Sequence, residues 1–252
     1  MTPDNSSDYL YRRNTVLEAL RGQRRELRQL WLQDGARQAE KFSAAARARG
    51  IPLEVVDKAR LSSMVGDGSH QGVVLETGPY PYSSLDEILA LAVQRGERPF
   101  LLLLDLLHGP HNIGALLRTA EACGVHGVVL QDRRAPDITA QVVIHSAGAA
   151  EHLLIAQVTN LVKAMQRLRQ ADVWLAGLDL SERAQPLGQI DLDMALAIIV
   201  GHEGDGLRRL VRQKCDFLLK LPMRGQVASL NAATAGAIVL YAAWQARGYE
   251  GA

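Results

Sequence analysis

The chain has 252 residues, 48% of them hydrophobic and 22% charged, with a formal net charge of +1, which is the composition of a globular chain able to bury a core and not of a disordered or collagen-like one. Its two cysteines, Cys123 and Cys215, belong to no Cys-x-x-Cys or Cys/His cluster, so a disulfide framework or a zinc finger is not expected and a reducing, cytoplasmic compartment is. The polar start "MTPDNSSDYL" lacks the basic-then-apolar plan of a signal peptide, and no apolar run is long and uninterrupted enough to span a bilayer, which speaks against secretion and against a membrane partner.

Along the chain, "NTVLEALRG" predicts a first helix with Asn14 as a candidate N-cap, followed by a strand at "LRQLWLQ", residues 27–33. "ARQAEKFSAAARARG" predicts a second helix closed by Gly50, and "IPLEVV" (51–56) and "GVVLET" (72–77) predict two more strands. This makes a small α/β module. Residues 1–60 hold twelve Lys or Arg against eight Asp or Glu, an excess that suits either an anionic partner or a solvated, Arg-rich helical face. "TGPYPYSS" (77–84), with its two prolines, is the best linker signal in the chain.

A longer alternation follows. The helix "SLDEILALAVQRG" leads to the strand "FLLLLDLL", the helix "NIGALLRTAEACG", the strand "VHGVVLQ" and a helix near 138–147. Then come the strand "HLLIAQV", the helix "NLVKAMQRLRQ" and the strands "VWLAGLD", "ALAIIVG" and "FLLKLP". Continuous apolar strands separated by helices imply an α/β fold with a largely parallel sheet covered on both faces. In such sheets ligands collect outside the carboxyl ends of the strands. Three strand-to-helix loops there carry glycine and polar side chains: "DLLHGPHNIG" (105–114), "GHEGDG" (201–206) and "LPMRGQVASLN" (221–231).

None of the three is a standard nucleotide loop: there is no G-x-G-x-x-G and no G-x-x-x-x-G-K-[ST]. His108 and His111 flank Gly109-Pro110 with no second ligand pair, so no metal is expected, and Ser146 and Ser229 lack a G-x-S-x-G elbow. Structural readings of the remaining polar groups stay open. Asn112 and Asn231 stand where N-caps stand; Arg118 lies at i, i+3 spacing from Glu121; Glu203 would favour the amino end of a helix beginning near Asp205. These readings leave unexplained why all these polar groups share the ends of three apolar strands.

"DLLHGPHNIGALLRTAEACGV", "AIIVGHEGDGL" and "LPMRGQVASLNAATAGAIVLYAA" resemble, as an ordered set, the three motifs of the SpoU (TrmH) branch of the SPOUT RNA methyltransferases. The likeness runs from about residue 99 to 247, and "HSAGAAEHL" between the first two motifs shares it. "LYRRNTVLEALRG" and "SHQGVVLE" resemble the ribosomal-protein-like module that precedes the catalytic domain in ribosomal RNA 2′-O-methyltransferases.

The resemblance implies an RNA substrate-binding α/β domain over 1–78, a linker and connecting helix over 79–98, and a methyltransferase domain over 99–252 ending in a deep trefoil knot. General topology rules give no reason to expect a knot. It further implies S-adenosylmethionine as methyl donor, a homodimer, and 2′-O-methylation of a guanosine ribose in 23S ribosomal RNA, with a transfer-RNA substrate or a non-catalytic RNA-binding or assembly role as the alternatives. It places Asn112, Arg118, Glu203, Ser229 and Asn231 around the reacting oxygen, Gly177, Gly201, Leu221, Met223 and Leu230 against the cofactor, and His70 and Gln71 against RNA; Arg12 and Arg13 join them as side chains able to pair phosphates, a solvated surface role staying open for all four. A guanidinium keeps its proton in essentially any protein site, so Arg118 is expected to clamp a phosphate rather than act as base, and Glu203 is the expected proton acceptor. One departure stands out: the family commonly has an acidic residue before the proline of the first motif, where this chain has Gly109, which predicts an altered local loop.

Overall fold

The computed structural model describes residues 8–66, 68–132, 137–227 and 229–251, so the first seven residues of the polar start lie outside it. Two compact units are present, one formed by Met1–Pro81 together with Ile138–His152, the other by Tyr82–Asp137 and Leu153–Ala252.

The first unit holds β1 (Asp8–Tyr11), α1 (Arg13–Arg21), β2 (Leu27–Gln33), α2 (Ala39–Arg49), β3 (Leu53–Val56), α3 (Lys58–Val65) and β4 (Val73–Thr77). Their four strands run in the order β1-β4-β2-β3, antiparallel except for β2 beside β3. β1 and α3 were not legible as periodic patterns. β1 has only four residues, and α3 is started by a cap, Asp57, whose side chain accepts the Arg60 N–H at 2.8 Å. Gly50 closes α2 as expected, at φ 65° with its N–H on the Ala46 and Arg47 carbonyls. Asn14 is not the cap of α1. The helix already begins at Arg13, with Arg12 at the cap position (φ 72°, ψ 139°), and the Arg13 N–H is met from a distance by Gln71 Oε1 at 3.2 Å.

The segment Ile138–His152, with α6 (Ala140–His145) and a short 3₁₀ turn at Ala149–Glu151, completes this unit. Ile144 joins Tyr11, Trp31, Leu61 and Val74 in its core. The Arg25 side chain is 1% exposed and donates to Glu151 Oε1 at 3.0 Å, Asp8 Oδ2 at 2.5 Å and the Gly78 carbonyl at 3.0 Å. Tyr80 Oη donates to the Ala150 carbonyl at 2.6 Å. Gly148 sits at φ 93° with no room for a side chain, since a Cβ would lie 2.6 Å from that of Glu18.

In the second unit α4 (Leu85–Arg95) is opened by a reciprocal Ser84–Glu87 capping box. Then follow β5 (Phe100–Asp105), α5 (Pro110–Ala122), β6 (Gly127–Gln131), β7 (Leu154–Val158), α7 (Leu161–Arg169), β8 (Trp174–Leu178) and β9 (Gln185–Pro186). The last elements are β10 (Leu196–Gly201), α8 (Arg209–Lys214), β11 (Phe217–Lys220) and α9 (Ala232–Ala246). Seven strands form one sheet in the order β7-β6-β5-β10-β8-β11-β9, with every pairing parallel, as the unbroken apolar runs predict.

β5 and β10 are buried at all six positions each. On one face Leu101, Leu103, Ala197 and Ile199 meet α4 and α7 through Ile88, Leu161, Met165 and Leu168. On the other, α9 lies so close that a Cβ on Gly236 would stand 2.6 Å from Leu116 of α5 and 3.0 Å from Val200 of β10. That contact explains the nearly uncharged body of α9, whose Ala233, Gly236, Val239, Leu240 and Ala243 are buried.

Candidate active site

β5 and β10 are neighbours, yet the chain leaves β5 toward β6 on one side, while β10 has β8 on the other. Their last residues, Asp105 and Gly201, are in register, so the loops that follow open side by side at the carboxyl edge where the strand order reverses. The segment after β11 returns to the same place and opens into α9.

Three side chains, one from each loop, meet there. Asn112 Nδ2 donates to Glu203 Oε1 at 2.5 Å, Asn231 Nδ2 donates to the same oxygen at 2.6 Å, and Asn231 Nδ2 also lies 3.2 Å from Asn112 Oδ1. The cap reading holds for Asn231, whose Oδ1 accepts the N–H groups of Ala233 at 2.9 Å and Thr234 at 3.2 Å. It fails for Asn112. α5 starts two residues earlier at Pro110, with Gly109 at the cap position (φ 85°, ψ 121°), leaving the Asn112 amide free to face the other loops. Gly109 therefore supplies a left-handed turn into the helix at the position where the sequence departs from the family pattern.

The helix-end reading of Glu203 also fails, because α8 begins only at Arg209. Glu203 rides on a tight turn in which the His202 N–H donates to the Gly206 carbonyl and the Gly206 N–H to the His202 carbonyl, both at 3.0 Å. Gly201 must be glycine here: a Cβ would fall 2.4 Å from Gly206 C and O.

Beside this triangle lies a cavity of about 370 Å³. Gly201, Glu203, Leu221, Met223, Ser229 and Leu230 line it. Gly177 does not; it is packed beneath Leu207 and Cys215, to which a Cβ would approach within 2.6 and 2.7 Å. The wall is continued by Leu178 and by Asp179, whose carboxylate receives Arg212 Nε at 2.6 Å. Arg118 is exposed and, among the described residues, has no ion-pair or hydrogen-bond partner, so the Glu121 pair does not form. Six residues on from Asn112, it lies about 120° round the helix from it.

Sequence reasoning missed a buried support. Asp105, fully buried at the end of β5, accepts the Arg208 N–H at 2.8 Å and Arg208 Nε at 2.6 Å, while Arg208 Nη2 reaches Gln131 Oε1 at 2.6 Å. These bonds tie the end of the Glu203 loop to β5 and β6. The available signal was a lone carboxylate closing an apolar strand. The thiols are not nucleophiles: burial pushes Cys123 up to about 11 and Cys215 up to about 12, the latter helped by Asp216, Asp105 and Asp179. No group of three His, Cys, Asp or Glu side chains suited to a metal ion occurs among the described residues.

Of the residues expected to meet RNA, Arg12 holds its φ of 72° and has a buried Nε without a hydrogen-bond partner. Arg13 is half-buried and Gln71 exposed. His70 is neither a solvated surface group nor an open donor. It is 6% exposed, its Nδ1 accepts the Gly72 N–H at 3.0 Å, and burial, aided by Lys58, lowers its pKa. It acts as a strut of the 70–72 turn that presents Gln71.

The fold and the site now define a class, and similarity to known proteins agrees. Residues 99–241 match the model of the SpoU rRNA Methylase family, and residues 9–83 match that for RNA 2′-O ribose methyltransferase substrate binding. The chain belongs to the SpoU methylase family, also called TrmH. A Bacillus subtilis relative named as a TrmH family tRNA/rRNA methyltransferase, YacO, is 40% identical over 242 residues, which is 95% of this chain and 96% of that protein. An AdoMet-bound rRNA methyltransferase from Sinorhizobium meliloti superposes with a TM-score of 0.76 at 25% identity, covering 95% of this chain and 87% of the other. The SpoU methyltransferase AviRb from Streptomyces viridochromogenes, crystallised with AdoMet, shares the fold with a TM-score of 0.78 at 23% identity, over 96% of this chain and 91% of that one.

Proposed function

We propose that this protein transfers a methyl group from S-adenosylmethionine to the 2′-oxygen of a guanosine ribose in 23S ribosomal RNA. The observation that carries the reading is the convergence of Asn112, Glu203 and Asn231, from three loops, on one oxygen beside a cavity. The cavity suits the cofactor: about 370 Å³ lies in the range of small-molecule sites, and apolar Leu221, Met223 and Leu230 alternate with main chain that approaches closely at Gly201. Gly177 contributes from behind by letting Leu207 and Cys215 close the wall.

When bound, S-adenosylmethionine supplies a methyl carbon that is already electrophilic, so the chain's residues need mainly to aim the ribose oxygen and take its proton. Two amide donors fix Glu203 through Oε1, which leaves Oε2 to receive that proton directly or through water. Asn112 and Asn231 orient the carboxylate and the nucleotide, and Ser229 faces the cofactor side of the same mouth. In this reading Arg118, unpaired and exposed, holds a phosphate of the target strand.

In this reading the first unit, with Arg12, Arg13 and the Gln71 turn, supplies RNA affinity. A homodimer through α9 is part of the proposal, supported by Ile238 and Tyr241, 42% and 52% exposed on a helix whose other face is buried. So is a deep trefoil knot at the carboxyl end, supported by the insertion of β10 between β5 and β8. The cytoplasm is the fitting compartment for two unpaired thiols.

The test is transfer of labelled methyl from S-adenosylmethionine to total ribosomal RNA and, separately, to transfer RNA, with digestion to nucleosides. Label in 2′-O-methylguanosine from the large-subunit RNA is the expected result. Label only in transfer RNA reassigns the substrate, and cofactor binding with no label in either overturns the enzymatic reading.

A further inference from the structure

Between Gly201 and Glu203 stands His202, a residue the mechanism above does not use. Its ring is doing local work: Nδ1 accepts the backbone N–H of Gly204 at 3.1 Å and lies 3.4 Å from that of Asp205. Those two donors follow Glu203 directly, so the imidazole spans the turn that presents the carboxylate. The geometry also selects a tautomer. An Nδ1 that accepts must be bare, which places the single ring proton on Nε2. Only the neutral ring can do this; a protonated one would turn a donor toward two donors.

The surroundings of the ring come from two loops. His108, from the loop between β5 and α5, meets it edge-on with centroids 5.6 Å apart and an interplanar angle of 72°. Asp205, on its own turn, has a carboxylate oxygen 3.9 Å from Nδ1. Glu203 itself is turned away, onto Asn112 and Asn231.

We propose that His202 is a positioning residue for Glu203: its bare Nδ1 holds the Glu203–Asp205 turn in the one shape that aims the carboxylate at the substrate hydroxyl. The inference rests on the reading of Glu203 as proton acceptor, but the tautomer and the turn bonds stand apart from it. Asparagine at this position retains a side-chain oxygen that can accept the N–H two residues on, whereas alanine cannot.

The experiment compares the full-length protein with His202→Asn and His202→Ala. Steady-state methyl transfer with labelled S-adenosylmethionine and ribosomal RNA is measured across pH, and the thermal midpoint is recorded for each. His202→Ala is expected to lose kcat by about tenfold, the scale of a small misplacement of a catalytic group, with KM for RNA and the thermal midpoint unchanged. His202→Asn is expected to restore kcat to within about twofold of wild type, since its oxygen replaces Nδ1 as acceptor for the turn. An alanine variant as active as wild type, or an asparagine variant as impaired as alanine, overturns the proposal. A second readout is independent of turnover: in imidazole-labelled protein, ¹⁵N NMR should show His202 with a bare Nδ1 and a protonated Nε2. The opposite tautomer rejects the proposal even if the enzyme is active. The expected tautomer with no methyl transfer from any variant removes the role assigned to Glu203, and with it the positioning proposal.

Discussion

Glu151 and Glu203 are both carboxylates met by donors from distant parts of the chain, but the two arrangements serve opposite ends. In the first unit Glu151 is sealed at 5% exposure and faces Arg25, whose guanidinium has every nitrogen committed, to Glu151, Asp8 and the Gly78 carbonyl. In the second, Glu203 is exposed at a cavity mouth and held by one oxygen only. Burial raises the pKa of Glu151 and Arg25 pulls it back, which is the signature of a charge tolerated for structure. A buried carboxylate set against a guanidinium with no nitrogen to spare fastens a segment; an exposed one held by neutral amides is left able to take a proton.

The sharpest way to break this contrast is Arg25→Ala, which strands Glu151 in the interior. Removing one partner of a buried pair should cost about 3–5 kcal/mol, read as a lower denaturant midpoint. Arg25→Met combined with Glu151→Leu should recover most of that loss, because no buried charge is then left unpaired and Asp8, 40% exposed, keeps its contact with water. Full stability in the single variant would show that the pair fastens nothing.

Glu203→Gln addresses the other carboxylate. It should leave the denaturant midpoint in place and reduce kcat about 100-fold, equivalent to roughly 2.7 kcal/mol, as expected for loss of a general base. An equal fall in stability would make Glu203 structural, like Glu151.

Arg12→Gly sharpens the comparison inside the first unit. An arginine at φ 72° and ψ 139° is strained, so glycine should raise stability by about 1 kcal/mol. If that strain is carried for RNA contact, affinity for ribosomal RNA measured by filter binding should fall at the same time. A variant that gains stability and keeps its affinity would remove Arg12 from the RNA-binding surface.

The smallest effect concerns His126, buried at 1% with its Nε2 facing Glu97 at 3.1 Å. Burial lowers its pKa below the ordinary 6.5, Glu97 opposing, so the unfolded chain binds the proton more readily than the folded one. Its contribution to stability is intact above pH 6.5 and is lost as pH falls through the lowered pKa. The acid limb of a thermal-melt series should be shallower in His126→Gln.

Most of the second unit could be read before any coordinates. Runs such as "FLLLLD" and "LAIIVG" suit a parallel sheet covered on both faces, and the polar loops at their ends marked the candidate site. Less was legible in the first unit. β1 is four residues long, and Asn14 looked like a cap because a local pattern cannot reveal that Gln71, 58 residues away from Arg13, already meets the first N–H of the helix.

The linear chain therefore dictated most of the strands and helices and which residues are candidates to carry chemistry, since period, capping and residue type act over a few positions. Tertiary structure decided what those residues touch. It alone made Asn112 a partner of Glu203 across 91 positions rather than a cap, buried His70 as a strut, and gave Ile138–His152 to the first unit through Arg25 and Ile144. The physical reason is that a side chain's partner is set by which strand ends lie adjacent in the sheet and which buried charges must be paired, and neither is encoded in any window of neighbouring residues.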